Sequence, residues 1–136
     1  MHGISEKPAL SLQPSQLLIA FAQRQVSRAR FYPEHDRRNE SRHLIAMPVV
    51  VVPIDRNLNP IAPALAMVTR DISSQGVGLI YEQSLEHALI ALRLALPGED
   101  ANLIAEVRWT QPMGPFYHIG CQVIDKLSHF PIFDLQ

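Results

Sequence analysis

The sequence predicts a mainly β protein: six short antiparallel strands in a barrel or sandwich, one N-terminal α-helix, and a short C-terminal tail or helix. Three observations predict it. Beyond residue 43, β-rich runs recur at short spacing, divided by "DISSQG", "EQSLEH", "PGED" and "PMGP", all of them turn chemistry. Only one segment, near the N-terminus, has a helical period. Within 101–111, Leu103, Ala105, Val107 and Trp109 alternate with Asn102, Ile104, Glu106 and Arg108, as in a strand with one wet face. At 136 residues the chain can bury a core of its own as one domain.

Residues 1–13 read as a tail. The segment "PSQLLIAFAQRQVSRARF" reads as a helix with Ser15 as its N-cap, because a serine hydroxyl can accept from an early backbone N–H. Leu17, Leu18, Phe21, Ala22, Val26 and Ala29 share one face, and Pro33 ends the helix. This helix is either a cap packed on the core or a dimerising or partner-binding arm. The strands come next as "HLIAMPVVVV", "APALAMVTR", "GVGLIYE", "ALIALRLAL", "ANLIAEVRWTQ" and "FYHIGCQVI". The closing "LSHFPIFDL" reads as a short plug at one end of the sheet. The expected division is an arm over 1–34, a barrel domain with its loop over 35–126, and a tail over 127–136.

Composition narrows the function. The chain is 47% hydrophobic and 18% charged with a formal net charge of −1, an ordinary globular balance that argues against general coating of DNA or RNA. The single cysteine, Cys121, cannot close an internal disulfide, and the run "LLIAFA" is too short to enter a membrane as a span, so a reducing, cytoplasmic setting is expected. Positive charge is local. Six of the twelve basic residues (Arg24, Arg28, Arg30, Arg37, Arg38 and Arg42) fall between residues 24 and 42, against Glu34, Asp36 and Glu40.

Two stretches carry chemistry. In "RRNESR", Arg38 and Arg42 stand four apart. A guanidinium is a planar fork that grips phosphate bidentately and matches the O6/N7 edge of guanine, which a lysine does less well. In "DISSQG", Asp71 and Ser73 belong to residue types that fold back on their own backbone, and Gly76 permits a tight turn. Alone this is a plain turn. Beside the arginines, its acceptor-only carboxylate matches the N1–H and N2–H₂ donors of guanine. His35, Asp36 and His43, and likewise His118 and Cys121, lack zinc spacing, so no metal or cofactor is expected. Ser73, His87 and Asp71 lack the setting of a hydrolase nucleophile, and no enzymatic activity is implied. Trp109 is assigned to barrel packing, with lining of the ligand site as the alternative, while Arg70 and Arg108 could add charge near a pocket.

In this order, with two strands between them, the stretches resemble the PilZ domain, the bacterial receptor module for cyclic di-GMP. The family's signature is Arg-x-x-x-Arg in a loop, then Asp/Asn-x-Ser-x-x-Gly at a barrel strand; here Arg38 and Arg42 match the first, and Asp71, Ser73 and Gly76 the second. The resemblance covers roughly residues 35–125 and departs at Val123, where the family commonly has an aromatic. It implies a six-stranded antiparallel barrel. It implies that the loop arginines clamp phosphate and guanine while Asp71 and Ser73 hold the far base edge. It also implies that Arg37 can stack on a guanine face and that the loop wraps over the barrel on binding. Because the loop directly continues the helix, binding is expected to change the N-terminal arm as well and so to signal to an unidentified protein effector, with a homodimer as one assembly. The alternative is an interaction adaptor with the same barrel and no nucleotide.

Overall fold

The computed structural model describes residues 12–31, 42–96 and 98–127. Helix α1 spans Gln16–Phe31, succeeded by seven strands: β1 (Arg42–Leu44), β2 (Pro48–Pro53), β3 (Leu65–Ser73), β4 (Gly76–Tyr81), β5 (Leu89–Leu96), β6 (Glu99–Met113) and β7 (Phe116–Leu127). All pairings are antiparallel. The order β3–β2–β5–β6–β7–β4 returns to β3 through the β3–β4 pair, which closes a six-stranded barrel and leaves β1 as an added edge on β3.

Alternation sorts the side chains. Val49, Val51, Met67, Leu79, Leu92 and Ile119 fill the lumen together with Leu103 and Ala105. Each of the larger of these side chains contributes roughly 1.5–3 kcal/mol by leaving water. Strand β2 is apolar on both faces: Val50 and Val52 join Ala91 and Ile104 in a second buried cluster outside the lumen, so "VVVV" has no wet side. The expected wet face of β6 is therefore broken at Ile104, which is buried.

Helix α1 starts as expected, with the Ser15 Oγ accepting from Leu18 N at 3.1 Å. Leu18, Phe21 and Ala22 pack on Val68 and Ile80, the outward residues of β3 and β4. The Phe21 and Phe116 rings meet at 4.9 Å between centroids. Gly114, at φ +59°, turns the β6–β7 hairpin just beneath Phe21. Leu17 departs from the expected face and stands 77% exposed. It is one position off the stripe that reaches the barrel, a rotation that the 3.6-residue period does not forgive.

Two strands differ from the sequence reading. "HLIAMPVVVV" is not one strand but two, interrupted at Ile45–Met47. The Thr69 hydroxyl bridges the gap, donating to the Ile45 carbonyl and accepting from Met47 N at 3.0 Å. "DISSQG" is not all turn: β3 starts at Leu65, after Pro63, and runs through Ser73, leaving Ser74 and Gln75 to reverse the chain. The C-terminal plug lies outside the described residues. Among the described residues no helix is long and apolar enough to cross a membrane.

Candidate functional site

The site grows from two glycines and two bulges. Gly78 on β4 and Gly120 on β7 are register partners, and both face out of the barrel, since Val77, Leu79, Ile119 and Cys121 face in. Side chains from the flanking strands fill the space left by the missing Cβ atoms. A Cβ on Gly78 would lie 2.8 Å from Asp71 Oδ1 and 3.1 Å from His118 Nε2; one on Gly120 would lie 2.3 Å from the Trp109 ring.

Neither Asp71 nor Trp109 would reach these places from a regular strand. Residues 67, 69 and 71 have one parity, so Asp71 should point inward like Met67; likewise Trp109 should point the way of Ala105 and Val107. The β3–β4 register shifts between Thr69 and Asp71, and the β6–β7 register shifts between Val107 and Trp109. In each case one arginine, Arg70 or Arg108, is the extra residue, and the residue after it turns to the other face. Asp71 thus pairs with Gly78, and Trp109 with Gly120. Trp109 packs over Gly120 yet is 41% exposed and lines the cleft, so it takes both places expected for it.

Charge collects at Asp71. Strand β1 lies along the last residues of β3, with Arg42 opposite Ser73 and Leu44 opposite Asp71. The Arg42 Nη2 donates to Asp71 Oδ1 at 2.7 Å, and the Arg70 Nη1 donates to Oδ2 at 2.7 Å. The carboxylate is only 2% exposed, while the arginine side chains are 18% and 24% exposed. A carboxylate so far from water needs such partners, because a buried charge left with none is strongly destabilising. Arg70 Nε is also buried and finds no hydrogen-bond partner among the described residues. On the opposite rim, Arg108 pairs with Glu106 at 2.7 Å in solvent.

Ser73 shapes the turn. Its Oγ accepts from Gln75 N at 3.2 Å and Gly76 N at 3.1 Å. His118 is buried edge-on to Trp109, with 4.7 Å between ring centroids. Burial pushes the Cys121 thiol up to about 12, so at neutral pH it is not a nucleophile. The resulting open cleft, about 200 Å³, is lined by Arg42, Asp71, Ser73, Gly76, Gly78, Arg108, Trp109, His118 and Gly120, among others. A roomier cleft of about 560 Å³ lies toward the far end of β4, by Tyr81, Tyr117, Glu82 and Glu86. Among the described residues its charged lining is Glu82 and Glu86 beside His87, with no arginine or lysine to hold a phosphate.

The structure therefore brings together Arg42, Asp71, Ser73 and Gly76 of the sequence-expected site; Arg37 and Arg38 lie outside the described residues. Sequence reasoning missed Gly78, Gly120 and His118. The signal for the glycines was present, since a glycine inside a strand often marks a bulge or a close approach. Among the described residues no cluster of three or more metal-ligating side chains forms.

The model of the PilZ domain family matches residues 36–129. No curated protein matches the chain. Among solved structures, the inhibitor of motility MotI/DgrA of Bacillus subtilis is similar, with a TM-score of 0.53 and 17% identity over 68% of this chain and 45% of that one. The chain thus spans less than half the length of that protein. Two further structures are the PilZ domain with c-di-GMP of YcgR from Escherichia coli (TM-score 0.47, 15% identity, 74% of this chain and 87% of that one) and the PilZ domain of CeSA from a cellulose-synthesizing bacterium (0.47, 21%, 70% and 93%). At these identities the likeness to MotI/DgrA is one of fold.

Proposed function

The chain belongs to the PilZ domain family, and from that premise we propose that it is a receptor for cyclic di-GMP that passes the signal to a protein partner. The observation that carries this reading is the Arg42–Asp71 pair, 2.7 Å apart on the barrel's outer face above Gly78. It sets a guanidinium fork and an acceptor-only carboxylate side by side, the two complements of a guanine nucleotide: Arg42 for phosphate or the O6/N7 edge, Asp71 for the N1–H and N2–H₂ donors. Ser73 fixes the turn that ends the strand carrying Asp71, and the exposed Trp109 ring offers a face on which a base can stack. Arg37 and Arg38 would complete the clamp from the preceding segment. The choice of cyclic di-GMP among guanine nucleotides comes from the family and is part of the proposal.

Output runs along the chain. The Arg30 guanidinium, in the last turn of α1, donates to the carbonyl of Leu44 on β1, and Leu44 is the register partner of Asp71. A ligand that engages Arg42 therefore pulls on a strand tied to the helix, and the arm over 1–34 becomes the signalling surface of a barrel over 35–126 with a tail over 127–136. The proposed setting is the cytoplasm, where a single buried thiol stays reduced.

Calorimetric titration with cyclic di-GMP tests the reading. The native chain is expected to bind, and Arg42→Ala to lose about 2–5 kcal/mol, roughly 30-fold to several thousand-fold in affinity. Neither heat nor ligand-induced stabilisation with the native chain would make this barrel an interaction adaptor instead.

A further inference from the structure

Arg70 lies outside the Arg42–Asp71 pair that carries the receptor reading, yet three observations single it out. It is the extra residue of the β3 bulge, so its side chain lies with that of Asp71 instead of opposite it. Its Nη1 takes Asp71 Oδ2 at 2.7 Å while Arg42 takes Oδ1 at 2.7 Å, so a guanidinium stands on each oxygen of the carboxylate. Its Nε is buried without an acceptor among the described residues. An arginine built for lasting hold on a carboxylate uses two N–H groups of its fork in parallel. Arg93 on the same barrel also commits two N–H groups, Nε and Nη2, although both converge on one oxygen, Asp100 Oδ2. Arg70, like Arg42, holds Asp71 by one N–H, and it alone of the two also buries an N–H without an acceptor among the described residues, at a cost. This is the geometry of a contact that can be exchanged.

We propose that Arg70 is an affinity-determining residue of the cyclic di-GMP site: it occupies one of the two Asp71 oxygens with which the guanine donor edge pairs, and the ligand binds by displacing it. The inference rests on the receptor reading. It gives Arg70 the opposite sign to the simple expectation that an arginine near a dianionic ligand strengthens binding. What the ligand gains at Asp71 is reduced by the Arg70 pair it must break, and the concentration at which the receptor fills is raised accordingly.

Arg108 is the internal control. It is the extra residue of the other bulge and it borders the same cleft, but it pairs with Glu106 and not with Asp71. The experiment titrates cyclic di-GMP into the full chain at fixed salt for the native protein, Arg70→Met, Arg108→Met and Arg42→Ala. Both methionine variants lose one positive charge and keep an apolar stem; only the first frees an acceptor. Arg70→Met is expected to bind about threefold to tenfold tighter than the native chain, and Arg108→Met about twofold weaker. Binding by Arg70→Met where the native chain shows none would also support the proposal, as the extreme case of an occupied acceptor. Native binding that is lost in Arg42→Ala but unchanged or weakened in Arg70→Met overturns the proposal and leaves the receptor reading standing. No binding by either the native chain or Arg70→Met overturns both. Should Arg70→Met fail to fold, the native chain decides: the Arg70 Nε–Hε resonance must shift on saturation with ligand, and an unmoved resonance overturns the proposal.

Discussion

Strands β3 and β6 use the same backbone device on opposite sides of the β4–β7 ribbon, with different results. Each takes in one extra arginine, and each thereby turns the next residue outward onto a glycine: Asp71 onto Gly78, Trp109 onto Gly120. On β3 the arginine is drawn to the residue it has turned, and two guanidinium groups crowd one buried carboxylate. On β6 the arginine leans away to Glu106 in solvent and leaves the indole half-exposed. A bulge decides which face a residue sees; whether the site becomes a charge-coupled centre or an open aromatic surface depends on the residue it turns. The pair divides the cleft into a charged wall and an aromatic wall. That is the division a nucleotide needs, since its edge and its phosphate are polar and its base faces are not.

The comparison can be broken at its seams, in decreasing order of expected effect. Thr69→Val removes the hydroxyl that bridges the β1–β2 gap beside the β3 bulge and leaves the Ile45 carbonyl and the Met47 N–H without it. A thermal or denaturant melt should show a loss of about 3 kcal/mol, two orphaned backbone groups partly relieved by water. Gly120→Ala strikes the other side, at the β6 bulge. Its Cβ would overlap the Trp109 ring at 2.3 Å, so the indole must leave its seat, at about 2 kcal/mol. Tryptophan emission should shift to the red as the ring becomes wetter; an unchanged spectrum would mean that the ring is not held by the missing Cβ. Ser73→Ala is the mildest. It removes the acceptor of two turn N–H groups that stay close to water, for about 1 kcal/mol of stability. A much larger loss of ligand affinity in this variant would show that Ser73 also touches the nucleotide.

Much of the fold was legible from residues alone. The Ser15 cap, the helical stripe and the turn residues are local signals, and each has a local cause. Six barrel strands could be placed because β-rich runs and turn chemistry alternate along the chain. The position of Leu17 could not be read, because a helix with apolar residues on a broad arc does not say which of them meets the barrel. Nor could the break in "HLIAMPVVVV", which depends on a threonine in another strand.

The candidate site shows the same boundary more sharply. By itself the sequence determined which residue types were available: a pair of arginines in one segment, an aspartate and a serine two apart ahead of a glycine, and the resemblance those spacings carry. Only the tertiary structure decided where they point. Alternation along β3 sends Asp71 into the lumen and alternation along β6 sends Trp109 after Val107; the two bulges reverse both. Parity within a strand is a property of consecutive residues, and so the sequence states it. A register shift is a property of two strands, fixed by what each side chain meets across the ladder, and no single stretch contains that information.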